Sequence, residues 1–123
     1  MSICVPFIGV PDLSQTIKWY ESIGFKCTGT NHIWEPDCDL NWAELELDGA
    51  TFMLYPYPFA LNSEVRYAGL YFRMKSILGL AEKLRGKAEI VEINEETFYG
   101  RKEIVFKDIN GFQVTFSCEA EKK

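Results

Sequence analysis

Apolar residues recur at strand or helix spacing in the same order twice along the chain. Residues 5–10 form the first apolar run and predict a short strand. Because Pro6 cannot donate a ladder hydrogen bond, we expect this strand at a sheet edge or a subunit boundary. Asp12, at capping-box spacing from Gln15, predicts the start of a helix that ends at Gly24.

Two glycine-containing pairs predict hairpins. Asp48-Gly49 divides residues 41–55 into two strands, and Asn110-Gly111 precedes the last strand. Both pairs tolerate the positive φ of a tight reversal. The last strand alternates apolar Phe112, Val114 and Phe116 with polar Gln113, Thr115 and Ser117. This period of two predicts one apolar and one polar face, and the polar face is typical of a cavity wall or of a half-exposed strand.

The second half repeats the plan of the first. Residues 67–74 predict a strand, and residues 88–93 predict another before the last hairpin. Between them, Ser76 opens a helix that Gly86 closes. Residues 56–64 contain two prolines and predict a linker between the halves.

The repeat predicts an α+β fold made of two βαβββ modules, at about residues 1–57 and 66–119. We expect both modules to lie within a single domain that spans residues 1–123. Neither module easily covers its own sheet. The modules are therefore predicted to pack into one curved mixed sheet with the helices on its convex face.

Composition agrees with an ordinary globular domain. The chain has 47% hydrophobic and 25% charged residues, and no apolar run reaches the roughly 18 residues of a membrane span. The first residues, MSICVPF, lack the basic segment and apolar core of a signal peptide. We therefore expect a cytoplasmic protein with no membrane partner.

The net charge and the spacing of the cysteines limit the classes of partner and ligand that we expect. The net charge of −5 disfavours nucleic acid and favours a neutral or cationic small molecule. Cys4, Cys27, Cys38 and Cys118 show no C-x-x-C spacing, and there is only one histidine. A zinc site is therefore not expected, and the cysteines are predicted to be reduced thiols.

Three stretches together resemble one known family. They are VPFIGVPDLSQTIKWYESIGF at residues 5–25, DGATFMLY at residues 48–55 and YGRKEIVFKDINGFQVTF at residues 99–116. The ordered set is similar to the glyoxalase/bleomycin-resistance superfamily, also called vicinal oxygen chelate, over nearly the whole chain. Within it, the bleomycin-resistance protein branch is the most similar. The resemblance implies a homodimer, with the Pro6 strand near the interface.

The chain departs from the metal pattern of that superfamily. Its enzymes usually hold a divalent metal with His, Glu, His and Glu, and motif alignment places those positions at Val5, Met53, Gly69 and Thr115. None of these side chains is an ordinary metal ligand. We therefore expect no metal, no cofactor and no catalytic residue of the usual type, and whether the protein is an enzyme stays open.

Strand alternation within that expected fold predicts a ligand-binding groove of aromatic and carboxylate side chains. Its predicted residues are Trp42, Glu44, Glu46, Met53, Tyr55, Tyr71, Arg73, Tyr99, Glu103 and Thr115. Such a lining suits a flat, cationic or amphipathic ligand through stacking, cation–π contact and carboxylate hydrogen bonds. The alternatives are core or dimer packing for the aromatic residues and a solvated strand or an acid/base pair for Glu44 and Glu46. Arg73 and Glu103 are alternatively an ion pair.

Two main hypotheses follow from this pattern. The first is a metal-free protein that binds and sequesters a small aromatic or cationic compound, as the resemblance implies. The second is a glyoxalase-like lyase, isomerase or other enzyme acting on a small carbonyl compound, epoxide or aromatic ring. A dimeric scaffold is a third, weaker possibility. The resemblance leaves the ligand open, since Gly69 and Tyr99 stand where known drug binders tend to carry larger indole rings.

Overall fold

A computed structural model describes residues 2–57 and 68–120. The chain divides into two compact units, Met1–Ser63 and Glu64–Lys123. Each unit contains one four-stranded mixed sheet. The α+β class and the two βαβββ modules are confirmed, whereas the single domain and the joining of both modules in one sheet stay predictions.

The first unit contains β1 (Phe7–Val10), α1 (Leu13–Ser22), β2 (Lys26–Thr30), a 3-10 turn (Asn31–Ile33), β3 (Ala43–Leu47) and β4 (Ala50–Pro56). Its strands lie in the order β1-β4-β3-β2, with β1 parallel to β4 and the other pairs antiparallel. The prediction that the strand after Pro6 lies at a sheet edge is therefore confirmed.

The second unit contains β5 (Gly69–Arg73), α2 (Leu80–Leu84), β6 (Glu89–Asn94), β7 (Arg101–Lys107) and β8 (Gln113–Glu119). The strand order β5-β8-β7-β6 repeats that of the first unit, and β5 is parallel to β8. No helix in the described residues is long and apolar enough to cross a membrane.

Local sequence signals fix both ends of α1. The Asp12 carboxylate accepts a hydrogen bond from the Gln15 backbone N–H at 2.9 Å, which satisfies one of the free donors of the first turn. At the other end, Gly24 adopts a φ of 106°. The Phe25 N–H donates to the Tyr20 carbonyl at 3.1 Å, and the Gly24 N–H donates to the Glu21 carbonyl at 3.2 Å. This pair of bonds is a Schellman motif.

Each sheet buries one face in a small core. The first core has Tyr20 of α1 against Phe52 of β4, with ring centroids 5.2 Å apart. In the second core, Phe116 of β8 contacts Phe72 and Phe106 of the neighbouring strands, at 5.6 and 5.0 Å. The opposite face of each sheet does not contribute to this core, and the predicted site residues of the strands lie on that face.

Several predicted boundaries were wrong. The first strand begins at Phe7, not at residue 5, although the Pro6 carbonyl still accepts a hydrogen bond from the Met53 N–H at 2.8 Å. The second helix begins at Leu80, not at Ser76, because Gly79 has a φ of 80° and interrupts the helix. Most of the predicted linker and Tyr67 lie outside the described residues.

The two predicted hairpins differ. Asp48 and Gly49 both have positive φ, at 52° and 86°, and join residues paired directly across the strands, as a two-residue turn requires. At the second hairpin the strands stop at Lys107 and Gln113, so the connection spans five residues. There the Asp108 carboxylate accepts bonds from the backbone N–H groups of Asn110 and Phe112, at 2.8 and 2.9 Å. The expected tight Asn-Gly turn is replaced by this Asp-centred loop.

Candidate functional site

The predicted site residues fall into two groups, one in each unit. Five of them, Trp42, Glu44, Glu46, Met53 and Tyr55, belong to the first unit, and Tyr71, Arg73, Tyr99, Glu103 and Thr115 belong to the second. Each group is described by itself, and the joining of both into one groove stays a prediction.

Aromatic rings and a thioether cover part of the first sheet. Tyr55 stacks on Phe7 of the neighbouring strand, with ring centroids 4.8 Å apart and planes inclined by 23°. Gly9 leaves room for this ring, because a Cβ there would lie 3.0 Å from the Tyr55 Cζ and hydroxyl oxygen. The Phe7 side chain is 53% exposed, so the stack offers an aromatic surface to solvent.

The ring of Trp42 is held in place from two sides. Its Nε1 donates to the sulfur of Met53 at 3.2 Å, and its ring centroid lies 5.7 Å from that of Trp34. A Cβ at Gly29 would lie 3.5 Å from the Trp42 ring, so the backbone of β2 approaches the indole closely. The structure therefore brings Trp42 and Met53 together, and their role in ligand binding stays a prediction.

A residue that the sequence reasoning missed positions this tryptophan. The Asn31 side chain, 5% exposed, accepts bonds from the backbone N–H groups of Asn41 and Trp42, at 2.8 and 3.3 Å. Its amide donates to the Asp39 carbonyl at 2.9 Å. A polar side chain buried in a loop is satisfied by such bonds. Only the fold brings these backbone groups around Asn31, so no local pattern identified it.

The two carboxylates of β3 have separate partners. Glu44 lies opposite Met53 and accepts a hydrogen bond from the Thr28 hydroxyl at 2.8 Å. Glu46 accepts one from the Gly49 N–H at 3.0 Å and so supports the hairpin turn. Because neither carboxylate is held against the other in these bonds, the arrangement gives no support to an acid/base pair.

The second sheet holds a buried carboxylate between two phenols. Glu103 of β7 is 7% exposed, and its Oε2 accepts hydrogen bonds from the hydroxyls of Tyr71 and, at 2.7 Å, Tyr99. The bond to Glu103 raises the pKa of Tyr99, with smaller contributions from burial and from the nearby carboxylate charge. The neutral phenol is favoured because only its O–H can donate to the carboxylate.

A tight corner places Tyr99 beside this carboxylate. The Thr97 N–H donates to the Arg101 carbonyl at 2.7 Å, and the Arg101 N–H donates back to the Thr97 hydroxyl at 2.9 Å. Gly100 completes the corner with a φ of 80°. This aromatic-glycine corner leads the chain directly into β7, and the Tyr99 side chain remains 50% exposed.

Arg101, which was not among the predicted site residues, donates to a serine hydroxyl and not to Glu103. Its Nη2 donates to the Ser117 hydroxyl at 3.1 Å, and that hydroxyl donates to the Phe72 carbonyl at 2.9 Å. The Nε of Arg101 is buried and has no hydrogen-bond partner among the described residues. The sequence signal was available, since Arg101 shares the strand face of Glu103 by alternation.

The remaining predicted residues of the second unit, Thr115 and Arg73, lie on the same sheet face as Tyr71. Thr115 is buried and lies directly opposite Tyr71, whereas Arg73 is exposed and lies opposite Ser117. The alternative of an Arg73–Glu103 ion pair was wrong. Ion pairs in the described part of the chain include Arg85 with Glu82 and Lys102 with Glu95.

Strand register gives the neighbours of the positions that were matched to the superfamily's metal ligands. Met53 lies opposite Phe7, and Thr115 lies opposite Tyr71. Val5 lies before β1, and Gly69 lies opposite Gln113. Among residues 2–57 and 68–120, no group of three or more His, Cys, Asp or Glu side chains is arranged to hold a metal ion.

Comparison with known proteins gives one family. The family model described as Glyoxalase/Bleomycin resistance protein/Dioxygenase superfamily matches residues 3–116. A search of curated protein sequences gave no match.

Solved structures with the same fold extend over nearly the whole chain. A glyoxylase/bleomycin resistance protein/dioxygenase domain from Frankia sp. EAN1pec has a TM-score of 0.75 and 20% identity, covering 100% of this chain and 95% of its own. The bleomycin-binding protein from Streptomyces verticillus, complexed with copper(II)-bleomycin, has a TM-score of 0.68 and 14% identity, with 99% and 98% coverage. A fosfomycin resistance protein from Listeria monocytogenes has a TM-score of 0.72 and 12% identity, with 98% and 94% coverage. At these identities the similarity shows the fold alone.

Proposed function

We propose that this chain, which belongs to the Glyoxalase/Bleomycin resistance protein/Dioxygenase superfamily, is a metal-free binding protein that sequesters an aromatic or cationic small molecule. The observation that carries the proposal is the buried Glu103 carboxylate flanked by the half-exposed rings of Tyr71 and Tyr99. A carboxylate beside aromatic faces suits a cationic or planar ligand.

The first unit supports the same proposal. Its exposed Phe7–Tyr55 stack and the Trp42 indole offer flat apolar surfaces, and the Glu44 carboxylate lies beside them opposite Met53. The net charge of −5 favours approach of a cation. The positions matched to the superfamily's metal ligands carry side chains without ordinary ligand atoms, which supports binding over metal-assisted chemistry.

The similar structures add support of a coarser kind. One of them is a bleomycin-binding protein and another is a fosfomycin resistance protein. Both names concern small molecules, but at such low identity they do not name the ligand of this chain. We therefore propose the class of ligand from the residues present here.

Fluorescence titration tests the proposal, because the chain contains three tryptophans. The probes are bleomycin, a basic aromatic dye and the hemithioacetal of methylglyoxal and glutathione, each followed by product analysis. We expect saturable binding of a planar or cationic probe without chemical change. Conversion of any probe to product would favour the enzyme hypothesis instead, and elemental analysis showing near one tightly held divalent metal per chain would contradict the metal-free state.

We also propose a cytoplasmic homodimer with the β1 edge near the interface. The exposed Ile3 and Phe7 side chains at this edge support the proposal, since an open edge with apolar side chains favours pairing with a second copy. Light scattering should give about twice the chain mass of 14.2 kDa. A monomer at micromolar concentration would contradict the dimer but not the binding proposal.

A further inference from the structure

Glu103 forms no ion pair with a cationic side chain among the described residues. The side chain is 7% exposed, and its hydrogen bonds in the described part of the chain come from two neutral phenols. Arg101, on the same strand face, donates to Ser117 instead. A buried carboxylate without a counter-ion is costly, so a bound cation at this point would be favoured.

One oxygen of the carboxylate remains available. Both phenols donate to Oε2, and no donor to Oε1 is found among the described residues. Among the described residues, the Nε of Arg101 is the one fully buried side-chain nitrogen or oxygen atom that lacks a hydrogen-bond partner. Since Oε1 of Glu103 also lacks a partner, it is not fully buried. An incoming N–H group therefore has an acceptor that solvent reaches.

The flanking rings are fixed before any ligand arrives. Tyr71 and Tyr99 are 47% and 50% exposed, and each hydroxyl is tied to the same carboxylate oxygen. Because their hydroxyls share one acceptor, the two rings converge on Glu103. An aromatic ring near a carboxylate stabilises a bound ammonium group through cation–π contact, and fixed rings lose little freedom on binding.

We propose that Glu103, with Tyr71 and Tyr99, is a subsite for an organic ammonium group that carries at least one N–H donor. The N–H donates to Oε1, and the phenol rings flank the cation. The inference rests on the proposed binding function and names the chemical class of ligand that the second unit recognises.

Three matched probes separate charge from hydrogen bonding: benzylamine, benzyl alcohol and benzyltrimethylammonium. Calorimetric titration of the full chain should show benzylamine binding about 10-fold or more tightly than benzyl alcohol, because its hydrogen bond to the carboxylate is charge-assisted. Benzyltrimethylammonium should lie between them, since it keeps the charge without an N–H. Equal affinity for all three, or no benzylamine binding, would overturn the subsite.

The variant Glu103→Gln removes the charge and keeps an oxygen for the two phenols. We expect it to weaken benzylamine binding about 10- to 100-fold. The control is Glu92→Gln, which makes the same charge change at an exposed residue opposite Val105 on β7. It should change affinity less than about twofold. Unchanged benzylamine affinity in Glu103→Gln would overturn the proposal.

A second measurement does not depend on how well Glu103→Gln folds. Amide NMR shifts of the unaltered chain during benzylamine titration should change most at Tyr71, Tyr99 and Glu103, and largest shifts elsewhere would contradict the subsite. Parallel titration with the basic aromatic dye separates the two proposals. Dye binding with no Glu103 effect on benzylamine would reject this subsite and retain the binding function, whereas failure of every probe would reject both.

Discussion

The two modules share strand order and parallel pairing but differ in how they arrange the sheet face opposite the core. In the first unit, rings and sulfur contact each other, as in Phe7 with Tyr55 and Trp42 with Met53. In the second, hydroxyls of Tyr71 and Tyr99 converge on one carboxylate. The same topology therefore supports an apolar surface in one module and a charged centre in the other, and the side chains decide which.

The two sheet faces also differ in the contacts that hold their side chains in position. The aromatic face depends on the hydrogen bonds from the Asn41 and Trp42 N–H groups to the Asn31 side chain, which we call the loop clamp. This clamp holds the loop from which Trp42 enters β3. The carboxylate face depends on close strand pairing, which brings Tyr71 of β5 to Glu103 of β7 across β8. Substitutions at these supports should consequently affect the two modules differently.

The largest expected effect is at the pairing of β5 with β8. A Cβ added at Gly69 would lie 2.6 Å from the backbone oxygen of Gln113, which cannot move aside easily. Gly69→Ala should destabilise the chain by about 3 kcal/mol in urea denaturation. The matched control is Gly29→Ala in the first unit, where the nearest atom is the flexible Ile33 Cδ1 at 3.3 Å. Equal losses for both variants would contradict this contrast.

The next effect concerns the loop clamp. Asn31→Ala removes the acceptor for two backbone N–H groups and the donor to Asp39, and should lower the free energy of unfolding by about 2 kcal/mol. Tryptophan emission should shift to longer wavelength as Trp42 loses its fixed position. Asn41→Ala is the control, because Asn41 contributes its backbone N–H to this clamp. An unshifted emission spectrum in Asn31→Ala would show that the clamp does not position Trp42.

A smaller effect is expected where the two hairpins differ. Asp108→Ala removes an acceptor from two backbone N–H groups of the five-residue loop and should cost about 1 kcal/mol. Asp48→Gly should be neutral or slightly stabilising, since Asp48 has a φ of 52°, which glycine adopts more easily. Thermal unfolding of both variants measures the pair. A destabilised Asp48→Gly together with a neutral Asp108→Ala would reverse the proposed roles.

The sequence predicted those features that depend on local chemistry. The cap at Asp12, the end of α1 at Gly24 and the Asp48-Gly49 turn each require only neighbouring residues. The predicted start of α2 at Ser76 was wrong because Gly79, with a φ of 80°, lies outside the helical conformation.

The candidate site was predictable only in part, for a physical reason. Alternation along β7 placed Glu103 on the correct face, but its partners come from β5 and from the corner before β7. Similarly, Asn31 bonds to residues 39, 41 and 42, which approach it only through the loop conformation. Local alternation therefore predicts the sheet face on which a residue lies, whereas its hydrogen-bond partners depend on long-range contacts.

The smallest expected effect is the alkaline titration of Tyr99. Its hydrogen bond to Glu103 raises the pKa of the Tyr99 phenol above its unfolded value of about 10. A raised pKa in the folded state means that the stabilising contribution is complete below about pH 10 and is lost as the pH rises through the folded pKa. Tyrosinate absorbance should therefore show a late-ionising step, and Tyr99→Phe should remove that step. Glu103→Gln should move the step to lower pH, because it removes the carboxylate acceptor, whereas Glu92→Gln should leave it in place. A late step that persists in Tyr99→Phe would show that Tyr99 is not the tyrosine that ionises late.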